Sequence, residues 1–283
     1  MKSTKIYKLL KKRDSIFISK IDELIPVIQN RLEMQVPKIF PEYTLHNIQH
    51  SKRVVEYIPD LVTDINEFND FELTLMVLAA LLHDIGMALG KDDISKIKND
   101  KFDFENDSKY SVYKKIYNED ALIEIIRNNH ADISSKIIEK DEAFADKFIL
   151  QDPNGVSYQK DISLLCKSHT KDNLWLSENL SEHNIKGIYD FNLRYISYLL
   201  RIADLLDIDQ SRTPIDLYKL IKPSQTSGDE WRKHFIITNI KKVEEDKKTG
   251  RKNVVFYGDS SDIKIYRKLF GCANLKMISK KGM

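Results

Sequence analysis

Residues 71–87 read FELTLMVLAALLHDIGM. From Leu75 to Leu82 the run has no polar side, so it specifies a helix buried on every face rather than one lying on a surface. It is too short for the ~20 apolar residues that a membrane-spanning helix needs. It closes on His83 and Asp84, and ionisable groups at the end of a buried helix are costly unless something satisfies them. Successive helical side chains point about 100° apart. His83 and Asp84 can therefore grip one cation from two directions, or Asp84 can bridge two cations through its two oxygens. A lone aspartate in such a place is more often a paired helix-end carboxylate, so the pair gains meaning only from its company elsewhere in the chain.

Outward from this helix most of the chain carries helical periodicity. Residues 16–36, IFISKIDELIPVIQNRLEMQV, place Ile16, Ile21, Leu24, Ile25, Ile28 and Leu32 at helical spacing, and Pro37 and Pro41 interrupt the chain beyond them. Further helices are expected from about 44–47 to 57 and over 120–138, 160–170 and 190–206. The charged stretch 90–118 and QDPNGVSY at 151–158 read as loops. Past residue 212 the character changes. HFIITNI (234–240) and NVVFYGD (253–259) are β-rich and flank a polar insert, the pattern of a hairpin. The expected organisation is a mainly α helical bundle over 1–212 and a small α+β appendage with a β-hairpin over 213–283.

Composition narrows the function. Among 283 residues, 45 Lys+Arg nearly cancel 43 Asp+Glu for a net charge of +2, which disfavours, without excluding, a nucleic-acid partner held by bulk charge. Cys166 and Cys272 are the only cysteines and form no CxxC unit, so plain thiols in a reducing cytoplasm are expected. The start, MKSTKIYKLLKKRD, has no apolar leader, and no membrane partner is expected. There is no GxxxxGK[ST], GxGxxG or GxSxG.

Five of the 7 histidines, His46, His50, His83, His130 and His169, lie in helical, partly apolar surroundings. Imidazoles with Asp84 and with Asp204, another acid in an apolar helix, make a nitrogen and carboxylate set suited to Mn, Fe, Ni, Zn or Mg. The thiols of a structural zinc site are missing. His183 and His234 stand apart from the other five and are taken as ordinary solvated histidines.

These residues carry a resemblance. YTLHNIQHSKRVVEY, LAALLHDIGM, RNNHADISSKII, LLCKSHTKD and LLRIADLLDIDQSR follow the H…HD…H…H…D order of HD-domain proteins, a superfamily of helical metal-dependent phosphohydrolases. FPEYTLHNIQH and RIADLLDID further resemble HD domains that occur with GHKL-type ATPase modules in bacteria. The resemblance implies an HD-type bundle over roughly 40–212, with His50, His83, Asp84 and Asp204 as metal ligands and His130 and His169 completing a second ion. Tyr43, His46, Asn47 and His50 resemble an arrangement in HD phosphodiesterases in which the first histidine protonates the leaving oxygen, so His46 is a candidate acid. Phosphate also needs positive charge, and Arg53, Lys167, Lys171 and Arg212 are the candidates nearest the motifs. The implied activity is hydrolysis of a nucleotide or other small phosphate ester by metal-activated water, with Asp84 helping to hold that water. Two other readings remain: a nuclease acting on single strands, and a nucleotide sensor that binds without turnover.

Overall fold

A computed structural model describes residues 1–140, 155, 157–208, 212–246, 251–258 and 262–265. The fold is mainly α. Helix α1 (Lys5–Lys12) and helix α2 (Ile18–Ile39) are followed by α3 (Ile48–Leu61) and α4 (Asp70–Leu82). Helices α5 (Lys91–Lys98) and α6 (Tyr110–Tyr117) precede the long α7 (Ala121–Lys140). Then come α8 (Gln159–Ser168), α9 (Asn173–Asn179), a short antiparallel pair β1 (Asn184–Lys186) and β2 (Tyr189–Phe191), and α10 (Leu193–Leu206). Helices α11 (Ile215–Ile221) and α12 (Gln225–Ile236) lead into the antiparallel hairpin β3 (Ile237–Asp246) and β4 (Arg251–Gly258).

Helix α4 is the axis of the core. Phe71 and every residue from Leu73 to Leu82 are buried, and α1, α2, α3, α8 and α10 pack around it. Its start is fixed by a capping box. The Asn69 side chain accepts from Glu72 N, and Glu72 reaches back to Asn69 N. Glu72 also accepts from Asn192 N, where α10 begins, and Asn69 Nδ2 donates to Asp190 O. Helices α4 and α10 are thus tied at one end, and both deliver acids at the other.

Several stretches differ from the sequence expectation. Residues 90–118 are not all loop, because α5 and α6 form there. Of the two only Ile97 is buried, so their apolar periodicity is thin. The lysine-rich start forms α1, which buries Ile6, Tyr7 and Leu10 while its lysines face solvent. The helix expected from 190 starts at Leu193, because 189–191 pair with 184–186. His234 to Ile236 belong to α12 rather than to the first hairpin strand. Most of QDPNGVSY, and Cys272, lie outside the described residues. Among the described residues no single helix is long and apolar enough to cross a membrane.

The segment after residue 212 sits against the start of α3. Arg212 O accepts from Leu45 N at 3.4 Å, Ser224 N donates to a Glu42 carboxylate oxygen at 2.9 Å, and Trp231 Nε1 donates to Glu42 O at 2.7 Å. Trp231 is fully buried there.

Candidate metal centre

Five helices supply the site. Asn47 caps α3 by accepting from Gln49 N and His50 N, which sets His50 in the first turn. His83 and Asp84 follow the last turn of α4, and His169 follows the last turn of α8. His130 lies midway along α7, and Asp204 stands in the last turn of α10. The turn after Asp84 is clamped by Ser134 of α7, whose Oγ donates to His83 O at 2.6 Å and accepts from Gly86 N at 2.8 Å.

The side chains converge in two groups. His50, His83 and Asp204 form one, and Asp84, His130 and His169 the other, each with ligand atoms within 4.8 Å of one another. His50 Nε2 lies 3.2 Å from His83 Nε2 and 3.2 Å from Asp204 Oδ1. His130 Nε2 lies 2.8 Å from His169 Nε2. Asp84 faces both groups. Its Oδ2 is 3.2 Å from His83 Nε2 and 3.5 Å from His50 Nε2, while its Oδ1 is 3.5 Å from His130 Nε2 and 3.8 Å from His169 Nε2. Donor atoms bound at ~2.0–2.2 Å to a shared ion lie about 3.0–3.4 Å apart; the three 3.2 Å spacings fall in that range, and the others, from 2.8 to 3.8 Å, lie close to it.

The far side of each ring explains why the Nε2 atoms face inward. Nδ1 of His83 is 3.0 Å from Ala80 O, that of His130 is 2.6 Å from Arg127 O, and that of His169 is 2.5 Å from Cys166 O. His50 Nδ1 instead meets Asp207 Oδ2 at 2.5 Å. An acceptor at Nδ1 keeps the proton there and leaves the Nε2 lone pair for a metal. Two such lone pairs facing each other repel unless a cation lies between them, and the structure contains that opposition twice. The donor set therefore fits a metal-binding HD domain with one or two ions.

Electrostatics agree. Burial opposes the charge on Asp84, yet His83 and then hydrogen bonding from His50 outweigh it and hold its carboxyl well below the usual range. Asp204 is also lowered against burial, chiefly by His50 and His83. Burial, with His130 and His83 nearby, pushes His169 down to about 3 and keeps it neutral. Burial and the Arg212 charge oppose protonation of His50, but Asp204, Asp207 and Asp84 prevail and lift it to about 10.

The other candidates fall into different places. Arg212 Nη2 is 2.8 Å from His46 Nε2, and His46 Nδ1 is 2.7 Å from Thr44 O. Both line a cleft of about 240 Å³ with Asp84, His130, His169 and Asp204. Arg53 does not line it. Its Nε and Nη2 donate to Asp207 at 2.5 and 3.0 Å, so it holds the carboxylate that orients His50. Lys167 and Lys171, expected to meet phosphate, are also absent from the lining. Lys171 Nζ pairs with Asp132 at 2.8 Å, and Lys167 pairs with Glu105 and sits over the Trp175 ring. Neighbouring acids have captured both cations. Asp207, which the sequence did not single out, supports His50 from behind. His234, expected to be an ordinary solvated histidine, is instead buried and lines the cleft, because α12 folds over it. Cys166 is buried, its thiol pushed up by burial and then by Asp84, and is inert.

A family model, HD-CE, matches residues 40–272. The chain belongs to the HD-CE family. That match takes in every residue of both HD-CE ligand groups and continues through α11, α12 and the hairpin. No curated protein and no solved structure matches the chain. An HD-type domain with these histidine and aspartate groups fits a metal-dependent hydrolase in general terms.

Proposed function

We propose that this HD-CE protein hydrolyses a small phosphate ester or nucleotide. The observation that carries the reading is the pair of opposed histidine lone pairs with Asp84 between them, one carboxylate oxygen toward each. Divalent metal ions bound there supply a water of lowered pKa and positive charge for the phosphoryl oxygens. His50, His83 and Asp204 would hold one ion and His130 and His169 the other, with Asp84 facing both groups. In hydrolysis the water oxygen bonds to phosphorus, the bond to the leaving oxygen breaks, and that oxygen takes up a proton.

His46 is placed to handle that proton, under the control of Arg212. Burial and then the Arg212 charge hold His46 down to about 3, and its Nε2 accepts from the guanidinium. A phosphate that draws Arg212 to itself frees Nε2 and removes the positive neighbour, and His46 then becomes competent to carry a proton. The cleft, at about 240 Å³, is smaller than the ~300–1,000 Å³ of pockets that enclose drug-sized ligands. That size favours a phosphate group entering over an extended nucleic-acid strand.

The test is metal analysis of the purified protein with a screen of phosphate esters, dinucleotides, cyclic nucleotides and dNTPs in Mn²⁺. We expect bound transition metal and product formation that a chelator stops. Protein that neither contains metal nor takes up Mn²⁺ or Ni²⁺ at micromolar levels would falsify the proposal. Ligand binding without product would make the protein a sensor instead.

A further inference from the structure

The cleft has two walls of different chemistry. One is the ligand set, with Asp84, His130, His169 and Asp204. The other is basic and comes from the chain after α10: Arg212, His234 and Lys233, the last paired with Glu230 at 2.7 Å, with His46 beside them. Two features of this second wall are unexplained by metal binding. His234 is 5% exposed, and its Nδ1 has no hydrogen-bond partner among the described residues. Arg212 Nε is likewise buried without a partner. The remaining Arg212 nitrogens donate to neutral acceptors, Asp207 O at 3.2 Å and His46 Nε2 at 2.8 Å, and among the described residues no carboxylate pairs with it. Arg212 and His234 thus both line the cleft, each keeps one unmet hydrogen-bonding atom, and buried polar groups are ordinarily satisfied.

We propose that Arg212 and His234 form a second anion subsite beside the metal centre, which holds the non-reacting phosphate of a substrate with two linked phosphates. The proposal rests on the phosphohydrolase reading for the first phosphate, but the subsite itself is built from protein side chains alone. The reacting phosphoryl group lies against the ligand set, and its neighbour lies against α12. The Arg212 Nη groups, which donate only to neutral acceptors, can turn to phosphate oxygens. The cleft has room for phosphates, and the remainder of such a ligand lies outside it.

Calorimetry on the full chain, with inorganic phosphate and inorganic pyrophosphate as probes, tests this. In chelator-treated protein we expect phosphate to bind, and His234→Ala or Arg212→Lys to weaken it about tenfold or more. His234→Gln keeps a hydrogen-bonding group and similar bulk, and should lose less; it also covers the case in which the alanine variant fails to fold. In Mn²⁺-loaded protein, pyrophosphate should bind at least about tenfold more tightly than phosphate, with His234→Ala narrowing the gap. Chelated protein that binds no phosphate, or His234 variants that bind like wild type, overturns the subsite. Equal losses for phosphate and pyrophosphate would place these residues on the reacting group and overturn the second-phosphate assignment. Failure to load Mn²⁺ defeats the proposed function while the chelated arm still decides the subsite.

Discussion

Asp84 carries the most at the level of single residues, because each of its oxygens serves a different histidine pair. Asp84→Ala is expected to abolish metal uptake. His130→Ala or His169→Ala should instead remove about one equivalent and most activity while the fold survives, as metal stoichiometry will report. If both keep full wild-type metal content, the site is mononuclear. Asp207 acts one step back. It fixes the His50 ring and is itself held by Arg53, so Asp207→Asn should cost about 10–100-fold in metal affinity without removing a ligand. Unchanged affinity in a metal titration would remove Asp207 from the site. The candidate ligands were legible from the ordered histidine and aspartate motifs, and the structure brings them together in two groups that could hold a metal. Asp207 was not, since in DLLDIDQ it is one of several acids and only the fold shows which of them turns inward. His234 was hidden for a related reason: its role comes from a tertiary contact that brings α12 over the cleft, and no local pattern encodes that.

Between elements, the decisive approach is that of α7 to the turn after Asp84. A Cβ on Gly86 would lie 2.1 Å from His130 O and 2.6 Å from Ser134 N, both main-chain atoms of α7. Gly86→Ala must therefore push α7 away, and α7 carries His130. We expect this variant to lose the ion shared with His169 before the one on His50 and His83, and to lose stability as packing opens, on the order of 1–3 kcal/mol. Circular dichroism with metal analysis checks both, and a variant with full metal content would show that α7 can yield. The HD-G string was visible in the sequence, but the reason for its glycine lay in another helix. Helices α1 and α5 were missed because short lysine-rich segments look solvated. Yet Ile6 and Leu10 of α1 stand four apart, a spacing that could have disclosed its buried face.

For the molecule as a whole, the segment beyond 212 ties stability to pH. His234 is buried and held down to about 3, by burial first and then by Arg212 and Lys233, whereas in an unfolded chain it titrates near ~6.5. Between those values the unfolded state binds one more proton than the folded state. The stability linked to a neutral His234 is thus intact above pH ~6.5 and lost as pH falls toward about 3, by up to about 1.4 kcal/mol per unit. Urea denaturation between pH 7 and 5 should show a steeper loss for wild type than for His234→Gln, and equal slopes would contradict the assignment. The mainly α fold was readable from periodicity alone. The docking of Trp231 on Glu42 was not, because a tryptophan after a charged turn gives no hint of its acceptor.

The cleft lining includes His130 and His169 but neither His50 nor His83, which are 1% and 0% exposed. The two ligand groups therefore meet the cleft unequally: Asp84, His130 and His169 all line it, whereas the other group reaches it through Asp204 alone. Exchange with a labelled metal should then run in two phases, fast at the first group and slow at the second, and a single phase would show that Asp204 opens both groups alike.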